Sequence, residues 1–239
     1  MNRSLSLFLV FLLVLVLLGG IGTWYLGPAV VSLAVDEDRR DSPFYLLHLT
    51  AIPGGAESSP FRSELTELVT ADGGQLLWRA ATIQLLEGRV QDEWQNLQLF
   101  EFARGGDFVQ MLTSTGYRQL RAAHPLLLRL ALGTSEAPDG IVSSGAAVLS
   151  LFRVDEDSAE FARGARELAS NLEQFEGSLI WEAPLVDLDG DVGWNRVMVF
   201  EFPRVDAAQR WVRDPTTMTQ RALIKRGTSG MVTLIVQSS

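Results

Sequence analysis

Hydrophobic and polar positions divide the chain into one long apolar segment and two similar successions of short runs. Leu5 to Leu18 is apolar except for Ser6, and the character continues through Ile21, Trp24, Tyr25 and Leu26 to Val35. After the charged cluster Asp36–Asp41 the runs shorten. Phe44 to Ile52 and Ala146 to Val154 have strand length. Each precedes a helical pattern. Phe61, Leu65 and Leu68 mark one apolar face, introduced by Ser59 and Pro60 and ended by Gly73-Gly74. Phe161, Ala165, Leu168, Leu172 and Phe175 mark the other, with Asp157 and Glu160 at capping-box spacing.

The two successions are copies. Gly74-Gln-Leu-Leu-Trp78 matches Gly177-Ser-Leu-Ile-Trp181, and the Gly turns at Gly88 and Gly190 follow. Trp94 through Phe102, ending Phe-Glu-Phe, then matches Trp194 through Phe202 with the same ending. Alternation around the Gly turns predicts a hairpin in each copy. A second helix is predicted from near Asp107 or Asp206, and closing strands over Leu126–Leu132 and Met231–Val236. The order β-α-β-β-α-β is the ferredoxin-like split βαβ unit, so the fold class is α+β. Such a sheet carries helices on one side and leaves the other to be covered. Two copies in one chain predict an intramolecular pseudo-dimer enclosing a space between its sheets. The boundaries are an anchor over 1–35, a polar linker over 36–43, copy one over 44–134, a Gly/Ser-rich linker over 135–145 and copy two over 146–239.

The first segment satisfies the roughly 20 apolar residues of a spanning helix, with Trp24 and Tyr25 as an interfacial anchor. Arg3 and the α-amino group place the N-terminus in the cytoplasm by the positive-inside tendency. Residues 5–26 are thus expected to engage the lipid bilayer, with both copies on the periplasmic or extracellular side of a bacterial envelope. The alternative is secretion after cleavage of a signal peptide near Gly20-Ile-Gly22.

Composition narrows the chemistry. The net charge is -9, with no cluster of Lys and Arg, so nucleic acid is not an expected partner. There is no Cys, and only two His, which removes disulfides, thiolate nucleophiles and a conventional metal site. No dinucleotide or phosphate-loop fingerprint is present, so no cofactor is expected.

The sequence GGQLLWRAATIQLLEG, then LQLFEF and MLTSTGYRQL, resembles domain-of-unknown-function family thirteen-thirty of the dimeric α/β-barrel superfamily. That superfamily also includes antibiotic-biosynthesis-type monooxygenases. VMVFEFPRVDAAQRWVRDP in copy two is similar to the same family's strand, turn and helix. The resemblance implies a pseudo-dimeric α/β barrel and little about activity. The family's aromatic pair is Met111-Leu112 in copy one and Trp211-Val212 in copy two, and its following Tyr is Tyr117 in one and Thr217 in the other.

Candidate chemistry gathers in copy one. His48 lies mid-strand on a face with Leu46 and Thr50; if that face lines the barrel, an imidazole titrating at about 6.5 suits general-base work. Glu101 and Glu201 hold equivalent places, where two nearby carboxylates would raise each other's pKa. Strand-end pairing with Arg104 and Arg204 is the structural alternative. Arg79 and Tyr117 complete a candidate catalytic set of His48, Glu101, Tyr117 and Arg79. Trp78, Trp94, Trp181, Trp194 and Trp211 either line a pocket for a flat apolar ligand or pack a core. Asp187-Leu-Asp189-Gly-Asp191 fails the spacing of a calcium loop and reads as a turn.

Two readings follow. The main one is a non-catalytic, membrane-anchored module that binds a small apolar ligand or an envelope protein. The alternative is a cofactor-independent oxygenase- or isomerase-like enzyme with its site in copy one.

Overall fold

Alternating apolar residues flanked by Gly turns build strands that are buried on both faces, and this sets the architecture. The structure, a computed structural model, describes residues 40–51, 59–88, 94–125, 127–140, 145–155, 158–188 and 193–239. The apolar segment 1–35, and with it the expected anchor, lies outside the described residues, as do Ile52, Asp157 and Gly190. Among the described residues no helix is long and apolar enough to cross a membrane.

Copy one contains β1 (Phe44–Ala51), α1 (Ser59–Ala71), β2 (Gly74–Glu87), β3 (Asn96–Phe102), α2 (Gly105–Thr113), α3 (Thr115–Ala123) and β4 (Leu128–Thr134). Copy two contains β5 (Ala146–Val154), α4 (Ala159–Ala169), β6 (Ser178–Pro184), β7 (Val186–Asp187), β8 (Arg196–Phe202), α5 (Val205–Arg213), α6 (Pro215–Arg226) and β9 (Thr228–Ser238). A short 3-10 turn, Glu173–Phe175, follows α4.

The predicted second helix is two helices in each copy. Ser114 caps α3 by accepting from the Tyr117 amide, and Asp214 caps α6 by accepting from the Thr216 and Thr217 amides, with Pro215 in the first turn. A new cap with extended backbone stops one helix and starts the next. The cap of α4 is Ser158, which accepts from the Phe161 amide, in place of the expected capping box from Asp157. The closing strand β9 runs beyond its predicted bounds at both ends, and β4 starts and ends two residues later than predicted, because their ends pair with neighbours that are remote in sequence.

All strands lie in one antiparallel sheet of order β6-β8-β5-β9-β2-β3-β1-β4-β7. Each copy contributes the ferredoxin-like order, β2-β3-β1-β4 or β6-β8-β5-β9. The joints are made by two crossing strands. β2 has 14 residues against seven in β3. Its first half pairs with β3, and its second half pairs with β9 of copy two, Ala80 opposite Ser238 and Glu87 opposite Thr233. Likewise β6 pairs with β8, and after Leu185 the chain continues as β7 against β4 of copy one, Val186 opposite Gly133. The two crossings close the sheet on itself. Bulges between Leu76 and Trp78, and between Leu179 and Trp181, recur at matching places and bend each crossing strand.

The barrel interior is solid. Tyr45, Leu47, Leu49, Trp78, Leu97 and Leu99 from copy one meet Leu149, Leu151, Trp181, Trp194, Val197 and Val199 from copy two in one core. The space expected between the sheets is therefore occupied by side chains, as in small barrels. The opposite face of each sheet packs under its own helices, around Phe61, Phe100, Phe102 and Phe108 in copy one and Phe152, Phe161, Phe200 and Trp211 in copy two.

The end of β2 is tied to copy two by charge. Glu87 accepts from Arg221 at 3.0 Å and from Lys225 at 2.6 Å. Burial opposes the charge on Arg221, and Glu87 sustains it. Glu87→Ala strands a buried guanidinium and is expected to cost about 2–3 kcal/mol. Lys225→Ala, at a well-exposed ammonium, is expected to cost under about 1 kcal/mol. Urea unfolding of the two variants side by side checks the order.

Candidate functional site

Strand alternation decides which candidates meet. Tyr45, Leu47 and Leu49 of β1 point into the barrel, so Leu46, His48 and Thr50 point to the helices. His48 therefore does not line the barrel. Its ring stacks at 5.6 Å on Phe61 of α1, and Phe61 meets His124 edge-on at 5.3 Å. His48 is 1% exposed, and neither ring nitrogen has a hydrogen-bond partner among the described residues. Burial, reinforced by the Arg129 and Arg121 charges, pushes its pKa down to about 3. The ring is neutral near pH 7, which corrects the expectation of a base titrating near neutrality. A neutral imidazole offers one donor and one acceptor.

Register places a polar row across this helix-facing surface. Arg79 of β2 lies opposite Gln98 of β3, and Gln98 lies opposite His48 of β1. Gln98 is 1% exposed. Its Nε2 donates to Thr66 Oγ1 at 3.0 Å, with a longer contact of 3.4 Å to the Arg62 carbonyl. Its Oε1 has no partner among the described residues. Arg79 Nη2 approaches the same Thr66 hydroxyl at 3.4 Å. Thr66 and Arg79 also line an open cavity of about 520 Å³ with Ser63, Glu67, Thr70 and Ala71.

The matching row in copy two is Glu182, Met198, Ser150 and Thr233. There the Ser150 and Thr233 hydroxyls bond each other at 3.1 Å and leave no demand. Among the described residues, this row is left unmet in copy one and met in copy two.

The other candidates lie elsewhere. Glu101 is on the barrel side of β3, accepting from Tyr45 Oη at 3.1 Å and Gln75 Nε2 at 2.5 Å. Burial and the Glu101 carboxylate push the Tyr45 phenol up. Burial pushes the Glu201 carboxyl up. Arg104 and Arg204 pair with Asp107 and Asp206 rather than with these glutamates. Tyr117 is buried in the helix-side core with Leu120, Phe108 and Met111. Trp78, Trp94, Trp181 and Trp194 fill the barrel interior. Trp78 donates to Ser238 Oγ and Trp181 to the Glu136 carbonyl. Trp211 is on the other side, over Phe200 and Phe202, donating to Asn171. Asp187 accepts from the Gly193 amide as a turn residue. Sequence reasoning missed Gln98 and Thr66. The signal was present for Gln98, where two otherwise matched strands differ as Gln98 against Met198.

No family model matches the chain, and no curated protein matches it. The resemblance to family thirteen-thirty thus stays at the level of the superfamily fold. Solved structures do match. An anthrone oxidase-like protein superposes with TM-score 0.56 at 13% identity, covering 84% of this chain and 93% of its own. A protein designated a monooxygenase from Fusobacterium nucleatum gives TM-score 0.50 at 14% identity, covering 82% and 92%. A chlorite dismutase variant from Candidatus Nitrospira defluvii gives 0.50 at 11%, covering 87% and 95%. The fold is that of the dimeric α/β barrels. These neighbours carry the names of enzymes, which overturns the expectation of a non-catalytic binding module.

His48 makes a checkable demand on stability. Its unfolded pKa of 6.5 lies above the folded value of about 3, so the unfolded state binds the extra proton between them. The stability due to the neutral ring is complete above pH 6.5 and is lost as pH falls toward 3, by on the order of 4 kcal/mol. Urea midpoints at pH 7 and pH 4 are expected to converge in His48→Phe relative to the parent chain.

Proposed function

We propose that the chain is a cofactor-independent, oxygenase- or isomerase-like enzyme whose site is the buried polar row of copy one. One observation carries the reading. His48 and Gln98 present a donor and acceptors, fully buried and without partners, where copy two closes the same place with Ser150 and Thr233. A buried polar group left unmet costs roughly 1–3 kcal/mol, so a fold that retains three such atoms in one row has a use for them. The neighbours' enzyme names support the same class.

The chemistry suits a substrate with a weakly acidic C–H beside a carbonyl. When that proton passes to the unprotonated ring nitrogen of His48, charge collects on the oxygen, and the nearby Arg79 charge favours it. His48 is neutral before the step, so it is free to take the proton and to return it. In an isomerase the proton returns at another carbon. In an oxygenase a CH2 group and dioxygen give a carbonyl and water, with dioxygen as the only oxidant. Tyr117 and Glu101 then serve structure rather than turnover.

Anthrone tests this, because it offers an acidic CH2 beside an aromatic ketone. Oxygen uptake and exchange of the CH2 protons for deuterium are measured on chelator-dialysed chain. Uptake identifies an oxygenase, and exchange without uptake an isomerase. His48→Phe is expected to lower either rate at least 100-fold, and Ser150→Ala to leave it unchanged. Equal loss in both variants, or neither signal, overturns the proposal. For placement, residues 5–26 are proposed as a lipid anchor with the barrel outside the cytoplasm. Release of the chain by carbonate washing of membranes would contradict it.

A further inference from the structure

The cavity beside the polar row has a charge character that bears on what can bind there. Arg79 lines it together with Ser63, Thr66, Glu67, Thr70 and Ala71. The Arg79 Nε is buried and has no partner among the described residues. Its only side-chain hydrogen bond there is the long one to Thr66, and the cavity's own carboxylate, on exposed Glu67, forms no ion pair with it. The hydroxyls around it are committed as donors to helix α1, Thr66 to the Arg62 carbonyl and Thr70 to the Thr66 carbonyl, both at 2.8 Å. Positive charge at the cavity wall therefore comes from Arg79 alone. A partly desolvated guanidinium at a cavity wall is a fork that a carboxylate fits.

Copy two reverses the charge at this position. Glu182 stands where copy one has Arg79, opposite Met198 instead of Gln98. An anion attracted by the first is repelled by the second.

We propose that the copy-one cavity binds an organic carboxylate, one per chain, paired on the guanidinium of Arg79 with its body lying against Thr66. Resting on the catalytic reading above, this makes the substrate an organic acid. Its carboxylate is held at the cavity wall.

Calorimetric titration of the full chain with benzoate and naphthoate, and with the neutral amides of both, tests it. At least one acid is expected to bind with one equivalent per chain, and its amide at least tenfold more weakly. Arg79→Met is expected to weaken the acid at least tenfold and Arg79→Lys less, with thermal melting used to confirm that both remain folded. Glu67→Gln is expected to hold or tighten binding, and Glu182→Gln to leave it unchanged. Acid and amide binding alike, two equivalents per chain, no binding of either acid, or parental affinity in Arg79→Met overturns the proposal. Failure here is separable from failure of the catalytic reading. Carboxylate bound through Arg79 without turnover of any substrate removes the reaction alone, whereas turnover of anthrone without carboxylate binding removes this inference alone.

Discussion

The crossing of β2 from one copy's sheet into the other's is the constraint on which the rest of the structure depends. A lone ferredoxin-like sheet leaves one apolar face exposed, and neither copy has helices for both faces. The long β2, paired first with β3 and then with β9, carries the face of copy one against that of copy two. The β6–β7 crossing repeats this at the other seam. Matching amides seal both places where the strand changes partner, Thr82 donating to the Gln95 carbonyl and Leu185 to the Asn195 carbonyl, each at 2.9 Å. Hydrophobic side chains from both copies then fill the interior, including the four Trp that recur in the repeat.

Filling the interior relocates the chemistry. With the barrel packed solid, polar groups that would bind or react must lie under the helices or at the surface. In copy one they lie under α1, where the row Arg79–Gln98–His48 interrupts an otherwise aromatic layer. The energetic tension is local. Phe61 covers the His48 ring and water is excluded, so the imidazole stays neutral while its hydrogen-bonding atoms are unmet. Copy two shows the relaxed counterpart, with Ser150 and Thr233 satisfied by each other. It also shows how the helix layer is made rigid without such a row: Asn171 joins Trp211 to Thr217 through both ends of its amide.

Much of this was legible in the chain. The repeat, the β-α-β-β-α-β order and the strand-to-helix boundaries follow from period and turn chemistry, which are local. The repeat also fixed which positions correspond, so Gln98 against Met198 and His48 against Ser150 could be compared before any contact was known. The candidate set itself mixed faces. Glu101 and His48 belong to opposite sides of the same sheet, and alternation within each strand says so only once the side that meets the helices is known. Trp211 was grouped with the interior Trp residues, although it sits on a helix over Phe200.

The sequence by itself determined that two ferredoxin-like units follow an apolar segment, because spacing and turn residues act within a few positions of each other. Only the tertiary structure decided that both sheets join into one, that their shared interior is full, and that Arg79, Thr66, Gln98 and His48 come together. Those outcomes depend on pairing between strands far apart in the chain and on competition for buried volume. No short stretch of sequence records which of two apolar faces a distant partner will cover.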